Sequence, residues 1–268
     1  MFLIQCAHMD TDASKNTPRG PVKTAALYVV AMLIMCPASA IYVAVCLLLI
    51  PWRALRIRTG NTFGKIMGPT IFGLAGIRPA IENRERLFDN FPALYVCNHT
   101  STADMWIGMW MCPNHVCGVA KKEIIFLPFF GQAYWLSGHL LLDRRNRKQA
   151  LTSMAKAREV IHKHRLGVWM WPEGTRSRDG RLQPLKKGFV HLAIAAGLPV
   201  VPVVFHDADI HWPSKKFRTV PGDLRIEVLD PIDTSSWSPD QAGEHAQEVW
   251  QTFQVALGPR QRSLPSDG

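Results

Sequence analysis

Short apolar runs recur along the second half of the chain and predict buried strands. Three of them have the length and the β-branched or aromatic content of such strands: residues 93–98 (ALYVCN), 166–171 (LGVWMW) and 198–205 (LPVVPVVF). The run LRIEVLDPI, near residue 230, predicts a further strand late in the chain.

Helical patterns separate these runs. Residues 148–163 have helical periodicity without Gly or Pro, and residues 187–196 predict a helix that ends at Gly197. A polar helix is expected after Ser238. Because strands alternate with helices, we expect a single α/β domain with a mostly parallel sheet flanked by helices.

A much longer apolar run precedes this domain. Residues 25–50 carry no charged side chain, and one helix of that length would be about 39 Å long, enough to cross a bilayer. A break at Pro37 would instead leave two helices of roughly 18 Å, which fits a hairpin dipping into one leaflet. A cleaved signal peptide, with cleavage at residues 38–40 (ASA), is the third alternative. The pattern leaves all three open.

Basic residues flank both ends of the apolar run: Lys15, Arg19 and Lys23 before it, and Arg53, Arg56 and Arg58 after it. Since positive charge prefers the cytoplasmic side, both ends are expected on that side of the membrane. We therefore expect a membrane-associated helical segment at residues 1–58, a folded domain at residues 59–258 and a disordered tail at residues 259–268.

The overall charge indicates an anionic partner. The 268 residues include 31 Lys or Arg and 21 Asp or Glu, a net charge of +10. This excess suits nucleic acid, an anionic membrane surface or a phosphorylated substrate. The basic residues cluster around a glycine-containing turn and beside apolar patches, and no nucleic-acid-binding motif accompanies them, so we expect no nucleic-acid partner.

The first candidate for chemistry lies directly after the apolar run at residues 93–98. In CNHTSTADMW, His99 and Asp104 stand five residues apart, which turns a regular helix by roughly 500° and separates the side chains by about 140°. A strand that ends, a short loop and a new helix with Asp104 in its first turn would bring them together. A carboxylate on one ring nitrogen orients a histidine that acts as a base. The alternative is that His99 only packs and Asp104 only complements the helix dipole.

Two further segments carry candidate binding residues. Residues 169–189 (WMWPEGTRSRDGRLQPLKKGF) surround three glycines with one carboxylate and several cations: Glu173, Arg176, Arg178, Arg181, Lys186 and Lys187. Arginine offers forked donors suited to phosphate, and Gly174 allows close approach of the backbone. Upstream, residues 120–146 combine a lysine pair, an apolar aromatic patch and an arginine pair, as an acyl chain with a phosphate head requires.

Four motifs in this order resemble those of the lysophospholipid acyltransferase family. Residues 98–104 (NHTSTAD) match its first motif, N-H-x4-D, and residues 138–144 (GHLLLDR) match its second, which ends in arginine. Residues 172–177 (PEGTRS) match the third, and the run around Pro202 resembles the proline-bearing fourth. His139 and the doubled arginine at residues 144 and 145 vary the second motif.

The resemblance implies transfer of a fatty acyl group from acyl-CoA or acyl-carrier protein to the sn-2 hydroxyl of 1-acyl-glycerol-3-phosphate (lysophosphatidate), which gives phosphatidate. It implies that His99 is the general base and that Asp104 orients it. The expected substrate-binding residues are Arg144, Glu173 and Arg176, with Gly174 and Thr175 shaping the loop. The resemblance implies no cofactor or metal beyond the acyl thioester as co-substrate, membrane lipids as partners, and the cytoplasmic face of the inner (plasma) membrane as location.

Three alternatives stay open from the sequence. In the first, the acceptor is another lysophospholipid or a lyso-aminolipid. In the second, the protein binds membrane lipids without catalysis, although lipid binding alone does not need His99, Asp104 and Glu173 together. A zinc site is the third, because Cys112, His115 and Cys117 lie within six residues. No second ligand pair follows at a usual spacing, and we expect no metal.

Overall fold

The computed structural model describes residues 17–126, 130–143, 147–214, 216 and 218–264. Its seven strands are β1 (Ile77–Glu82), β2 (Leu94–Cys97), β3 (Val116–Lys121), β4 (Leu140–Leu142), β5 (Gly167–Met170), β6 (Val200–Phe205) and β7 (Gly222–Val228). They form one sheet in the order β1–β7–β6–β2–β5–β3–β4. Neighbouring strands are parallel except β6 and β7, which are antiparallel. The expected α/β fold is confirmed.

The helices of the described residues are α1 (Pro21–Leu48), α2 (Arg53–Ala75), α3 (Arg86–Asp89), α4 (Ala103–Met111), α5 (Phe130–Leu136), α6 (Arg147–His164), α7 (Gly188–Ala196), α8 (Ala208–His211) and α9 (Ala242–Ala256). A short 3-10 helix covers Lys122–Phe126. The helices predicted over residues 148–163 and 187–196 are α6 and α7. The second ends at Gly197, whose φ of 61° is a left-handed conformation that glycine adopts readily.

Strand β2 lies at the centre of the sheet, and all four of its residues are buried. Leu94 and Val96 pack on one face with residues of α6, α7 and α9, while Tyr95 and Cys97 pack on the other with residues of α2 and α4. Because β2 runs parallel to both β5 and β6, the carboxyl ends of these three strands meet at one edge. Residues that follow them are therefore brought together.

Helix α1 is continuous, and Pro37 lies inside it. The chain reverses between α1 and α2, at residues 49–52, rather than at the proline where a hairpin would have split the run. One proline removes one backbone donor, and this 28-residue helix continues past it. Among the described helices, α1 alone is long and apolar enough to cross a membrane.

One side of α1 lies against the folded domain. Thr24, Leu27 and Cys46 are buried, and the Tyr42 hydroxyl donates to the Ser137 hydroxyl at 2.6 Å. The opposite side exposes large apolar side chains: Val22, Val29, Val30, Met32, Leu33, Ile41, Leu47 and Leu48. An apolar surface of this extent is typical of membrane contact.

Two boundaries were predicted along the chain, one after residue 58 and one before residue 259. Helix α2 runs across residue 58, and the division there between membrane segment and domain stays a prediction. A disordered tail was expected at residues 259–268, but residues 259–264 pack on the domain. Gln261 is buried, and the Ser263 hydroxyl donates to the Leu182 carbonyl. Residues 265–268 lie outside the described residues.

Candidate active site

The turn from β2 into α4 brings His99 and Asp104 together. Strand β2 ends at Cys97, and Asp104 is in the first turn of α4, which begins at Ala103. His99 Nδ1 lies 2.9 Å from Asp104 Oδ2. The Asp104 carboxylate is fully buried, whereas the His99 ring retains 18% of its exposure. Asp104 is thus shielded from solvent, while part of the His99 ring stays accessible.

Asp104 also holds the loop between the two elements. Its Oδ2 accepts the backbone N–H groups of Thr100 at 2.7 Å and Ser101 at 2.8 Å. Burial raises the pKa of the Asp104 carboxyl, while the His99 ring and these two N–H groups lower it. The carboxylate therefore orients the histidine and stabilises the start of the helix, so the two interpretations of the sequence are compatible.

Asn98 fixes the loop to the neighbouring strand. Its side-chain amide donates to the Phe205 carbonyl at 3.0 Å and its side-chain oxygen accepts the Phe205 N–H at 2.8 Å. Both bonds are buried and join the ends of β2 and β6. His99, the next residue, is consequently held at a defined point on the sheet edge.

Glu173, from the loop after β5, binds the backbone of the same histidine. Its Oε1 accepts the His99 N–H at 2.6 Å, and its Oε2 accepts the Gln183 N–H at 3.0 Å. The Ser177 N–H donates to the His99 carbonyl at 2.8 Å, so both backbone groups of His99 are bound by this loop. Only 3% of Glu173 is exposed, and burial raises its pKa to about 8 even though the two N–H groups lower it.

Three further members of the third motif, Gly174, Thr175 and Arg176, follow Glu173 in this loop. Gly174 has φ 76°, and a Cβ there would lie 2.5 Å from Lys186 Nζ. Thr175 and Arg176 are exposed, and Arg176 Nη1 donates to the Thr102 hydroxyl at 3.1 Å. Arg176 thus leans toward the His99 loop with most of its donors available to solvent or a ligand.

Trp171 packs on the histidine ring and was not predicted from the sequence. The two ring centroids are 5.0 Å apart with an angle of 26° between the planes. A Cβ on Gly108 of α4 would lie within 3.2 Å of both Trp169 and Trp171, so the glycine makes room for the two indoles. The stacked indole covers one face of His99. The Trp-rich end of β5 was the available signal.

The second motif lies next to the first two helices, and its arginine, Arg144, lies outside the described residues. Arg53 of α2 donates to the carbonyl oxygens of Gly138, at 2.8 Å, and His139, at 3.1 Å. His139 Nδ1 accepts the Gly118 N–H, and burial lowers its pKa to about 4. His139, which varies the motif, therefore has a neutral, structural place.

Among the described residues, no three His, Cys, Asp or Glu side chains lie close enough to hold a metal ion. Cys112 Sγ accepts from the Asn61 amide at 3.3 Å, and burial raises the pKa of the Cys112 thiol to about 12. The polar residues after β6 have protein partners: Asp207 and Asp209 bind Arg260, and His206 lies 3.1 Å from Glu227.

Known proteins match this chain in sequence and in fold. The family described as "Acyltransferase" matches residues 78–206. A 1-acyl-sn-glycerol-3-phosphate acyltransferase of Limnanthes douglasii is 40% identical over 219 residues, covering 82% of this chain and 77% of the relative. A Salmonella typhimurium protein of the same name is 36% identical over 185 residues, covering 69% and 74%.

The crystal structure of the 1-acyl-sn-glycerophosphate acyltransferase PlsC from Thermotoga maritima matches with a TM-score of 0.67. The match covers 85% of this chain and 91% of that one at 21% identity. At this identity the likeness supports the fold.

Proposed function

Because this chain belongs to the family of 1-acyl-sn-glycerol-3-phosphate acyltransferases, we propose that it transfers a fatty acyl group from a thioester to the sn-2 hydroxyl of lysophosphatidate. The product is phosphatidate, a precursor in phospholipid synthesis. The observation that supports this most is the His99–Asp104 pair at 2.9 Å, held at the carboxyl edge of the sheet.

His99 is the general base of the proposed reaction. Since its Nδ1 faces Asp104, Nε2 is the nitrogen that takes the proton of the sn-2 hydroxyl. The hydroxyl oxygen attacks the thioester carbonyl carbon, the C–S bond of the resulting tetrahedral adduct breaks, and the proton passes from Nε2 to the leaving thiolate. Asp104 stabilises the imidazolium that forms between these two proton transfers.

The acyl group passes directly between substrates in this proposal. Cys97 is the thiol nearest to His99 in the chain, but it is fully buried, and burial raises its pKa well above the usual range. A thiol of this kind is a poor nucleophile. The nucleophile is therefore the acceptor hydroxyl, activated by His99 in a complex that contains both substrates.

The third motif has two tasks in this account. Glu173 acts on the main chain of His99, because its two oxygens already accept N–H groups of the protein, and it positions the base. Arg176, with Arg144, binds the phosphate of the acceptor. Gly174 and Thr175 shape the loop between Glu173 and Arg176. The exposed guanidinium of Arg176 beside Thr102 supports this division.

The protein is associated with a membrane, and we place it on the cytoplasmic face. Basic residues before and after α1 favour this side. Because α1 is packed lengthwise on the domain and exposes its apolar side, we propose that this side enters the leaflet from which lysophosphatidate is drawn. The donor is acyl-CoA or acyl-carrier protein, and an acidic carrier suits the basic surface.

The test uses the detergent-solubilised full chain with lysophosphatidate and either acyl-CoA or acyl-carrier protein. Phosphatidate, measured by mass spectrometry, is the expected product, and the faster donor is the preferred thioester. Parallel reactions contain other lysophospholipids and lyso-aminolipids. Acylation of one of these in place of lysophosphatidate would assign a different acceptor. Absence of product from every combination of donor and acceptor would favour a lipid-binding protein.

A further inference from the structure

The C-terminal segment, residues 258–264, has no part in the mechanism proposed above. It follows α9 and lies against two loops, the one after β6 and the one after β5 (residues 171–187, hereafter the glycine-rich loop). Gln261 in this segment is only 1% exposed. A buried amide is retained where its polar groups find partners, so the contacts of Gln261 indicate what the segment does.

Gln261 binds both loops at once. Its Oε1 accepts the Asp207 N–H at 2.8 Å, and its Nε2 donates to the Phe205 carbonyl at 3.2 Å. Its backbone carbonyl accepts the Leu182 N–H at 2.8 Å. One residue thus joins the end of β6 to the glycine-rich loop.

Two of these contacts, those to Phe205 and Leu182, lead to His99. On the first route, the Phe205 carbonyl that Gln261 binds also accepts the side-chain amide of Asn98, the residue before His99. Phe205 and Asn98 share a second bond, at 2.8 Å, in the reverse direction. Two hydrogen bonds, both to the Phe205 carbonyl, therefore connect Gln261 to Asn98, the residue before the proposed base.

The second route runs through the glycine-rich loop. Leu182, bound by Gln261, precedes Gln183, whose N–H donates to Glu173 Oε2. The other oxygen of Glu173 accepts the N–H of His99. The two routes meet at His99, and they have only Gln261 and His99 in common among these residues.

Arg260 fixes the segment in place beside Gln261. Its guanidinium contacts Asp207 and Asp209, with the shortest distance to each at 2.6 Å. Gly180 lies against this cluster, because a Cβ there would be 2.5 Å from Asp209 Oδ2 and 3.0 Å from Arg260 Nη1. The glycine-rich loop is therefore seated on the Arg260 cluster as well as bonded to Gln261.

We propose that Gln261 is a positioning residue for His99, holding the base through both the loop between β2 and α4, which contains Asn98, and the glycine-rich loop, which contains Glu173. The proposal rests on the proposed function for the identity of the base. Its effect falls on turnover rather than on substrate affinity, since Gln261 contacts neither proposed substrate site. Small displacements of a catalytic group cost up to about a hundredfold in rate.

The experiment compares full-length Gln261→Met with the native protein and with Gln251→Ala, an exposed glutamine of α9. Methionine keeps the length and the volume but removes both side-chain hydrogen bonds. We expect kcat for phosphatidate formation to fall by about ten- to a hundredfold, with KM for both substrates within threefold of native. Amide hydrogen exchange in peptides covering residues 98–104 and 173–183 should accelerate together, and Gln251→Ala should match the native protein in both measurements.

Gln261→Glu is the second variant, for the case that methionine prevents folding. It keeps an acceptor for the Asp207 N–H but loses the donor to the Phe205 carbonyl, so the same direction is expected. Native kcat and native exchange in a folded Gln261 variant would overturn the proposal. Absence of phosphatidate from the native protein would overturn the proposed function instead, and the exchange measurement still decides whether Gln261 holds the two loops.

Discussion

Glu173 Oε1 accepts a 2.6 Å hydrogen bond from the backbone N–H of His99. The ring of the same histidine is bound by Asp104. One carboxyl group thus fixes the main chain of the proposed base, and the other fixes its ring. A group held in this way needs little reorganisation when the proton moves, which is how preorganised sites accelerate reactions.

The contact between Glu173 and His99 predicts the effect of Glu173→Gln. The amide oxygen can replace one carboxyl oxygen, but the NH2 group then faces a backbone N–H donor and one buried bond is lost. We expect kcat to fall by about ten- to a hundredfold while KM for lysophosphatidate changes little. Steady-state kinetics measure both. Glu159→Gln, at an exposed position of α6, is the control, and an unchanged kcat in Glu173→Gln would contradict the positioning role.

The raised pKa of Glu173, about 8, predicts a pH-dependent stability. Between pH 4.5 and that value the folded protein holds a proton on Glu173 that the unfolded chain has released, so the free energy of unfolding falls as pH rises. The slope from this one group is at most about 1.4 kcal/mol per pH unit. Chemical unfolding of native protein and Glu173→Gln between pH 5 and pH 8, a range set by that shift, gives the comparison. Parallel curves would contradict the raised pKa.

Gly174→Ala tests the conformation of the third motif. At φ 76° an L-residue is strained, by roughly 1–2 kcal/mol, and the added Cβ also meets Lys186 Nζ. We expect a lower melting temperature and a loss of kcat/KM, because the loop that holds His99 and carries Arg176 has to shift. Gly188→Ala, at the start of α7 with open space around its Cα, should change neither quantity by much. Equal behaviour of the two variants would argue against a constrained loop.

Arg176→Gln tests the proposed phosphate site. Hydrogen bonds to a charged group are worth about 1.5–3 kcal/mol, so KM for lysophosphatidate should rise by about ten- to a hundredfold. Arg176→Lys should recover part of the loss, since it keeps the charge without the fork. Arg158→Gln on the exposed side of α6 controls for net charge. If Arg176→Gln lowered kcat at unchanged KM, the residue would act on the base rather than on the phosphate.

The sequence predicted the parts of the fold and site that depend on local pattern. The run ending at Cys97 gave β2 because its four residues are buried together, and the polar residues after it belong to a turn into α4. Strands β1, β4 and β3 were not predicted. The first is an edge strand that contains Pro79, and the second has three residues, too few for any periodicity to appear.

Contacts between distant residues could not be predicted in the same way. The sequence around Glu173 is rich in cations and typical of a solvated loop. Only the fold shows that the two oxygens of Glu173 accept the His99 and Gln183 N–H groups. Gln261 follows a Gly-Pro-Arg sequence typical of a loose tail, yet its partners are backbone groups more than fifty positions away. Backbone partners leave no trace in residue type.

The central claim is that His99, oriented by Asp104, removes the proton of the acceptor hydroxyl. Single-turnover formation of phosphatidate by the native protein, His99→Ala and Asp104→Asn measures this directly, with far-UV circular dichroism to confirm that each variant is folded. We predict no phosphatidate above background from folded His99→Ala and a loss of roughly a thousandfold or more in Asp104→Asn, in which the amide favours the wrong ring tautomer. Phosphatidate at a rate near native from folded His99→Ala would contradict the claim.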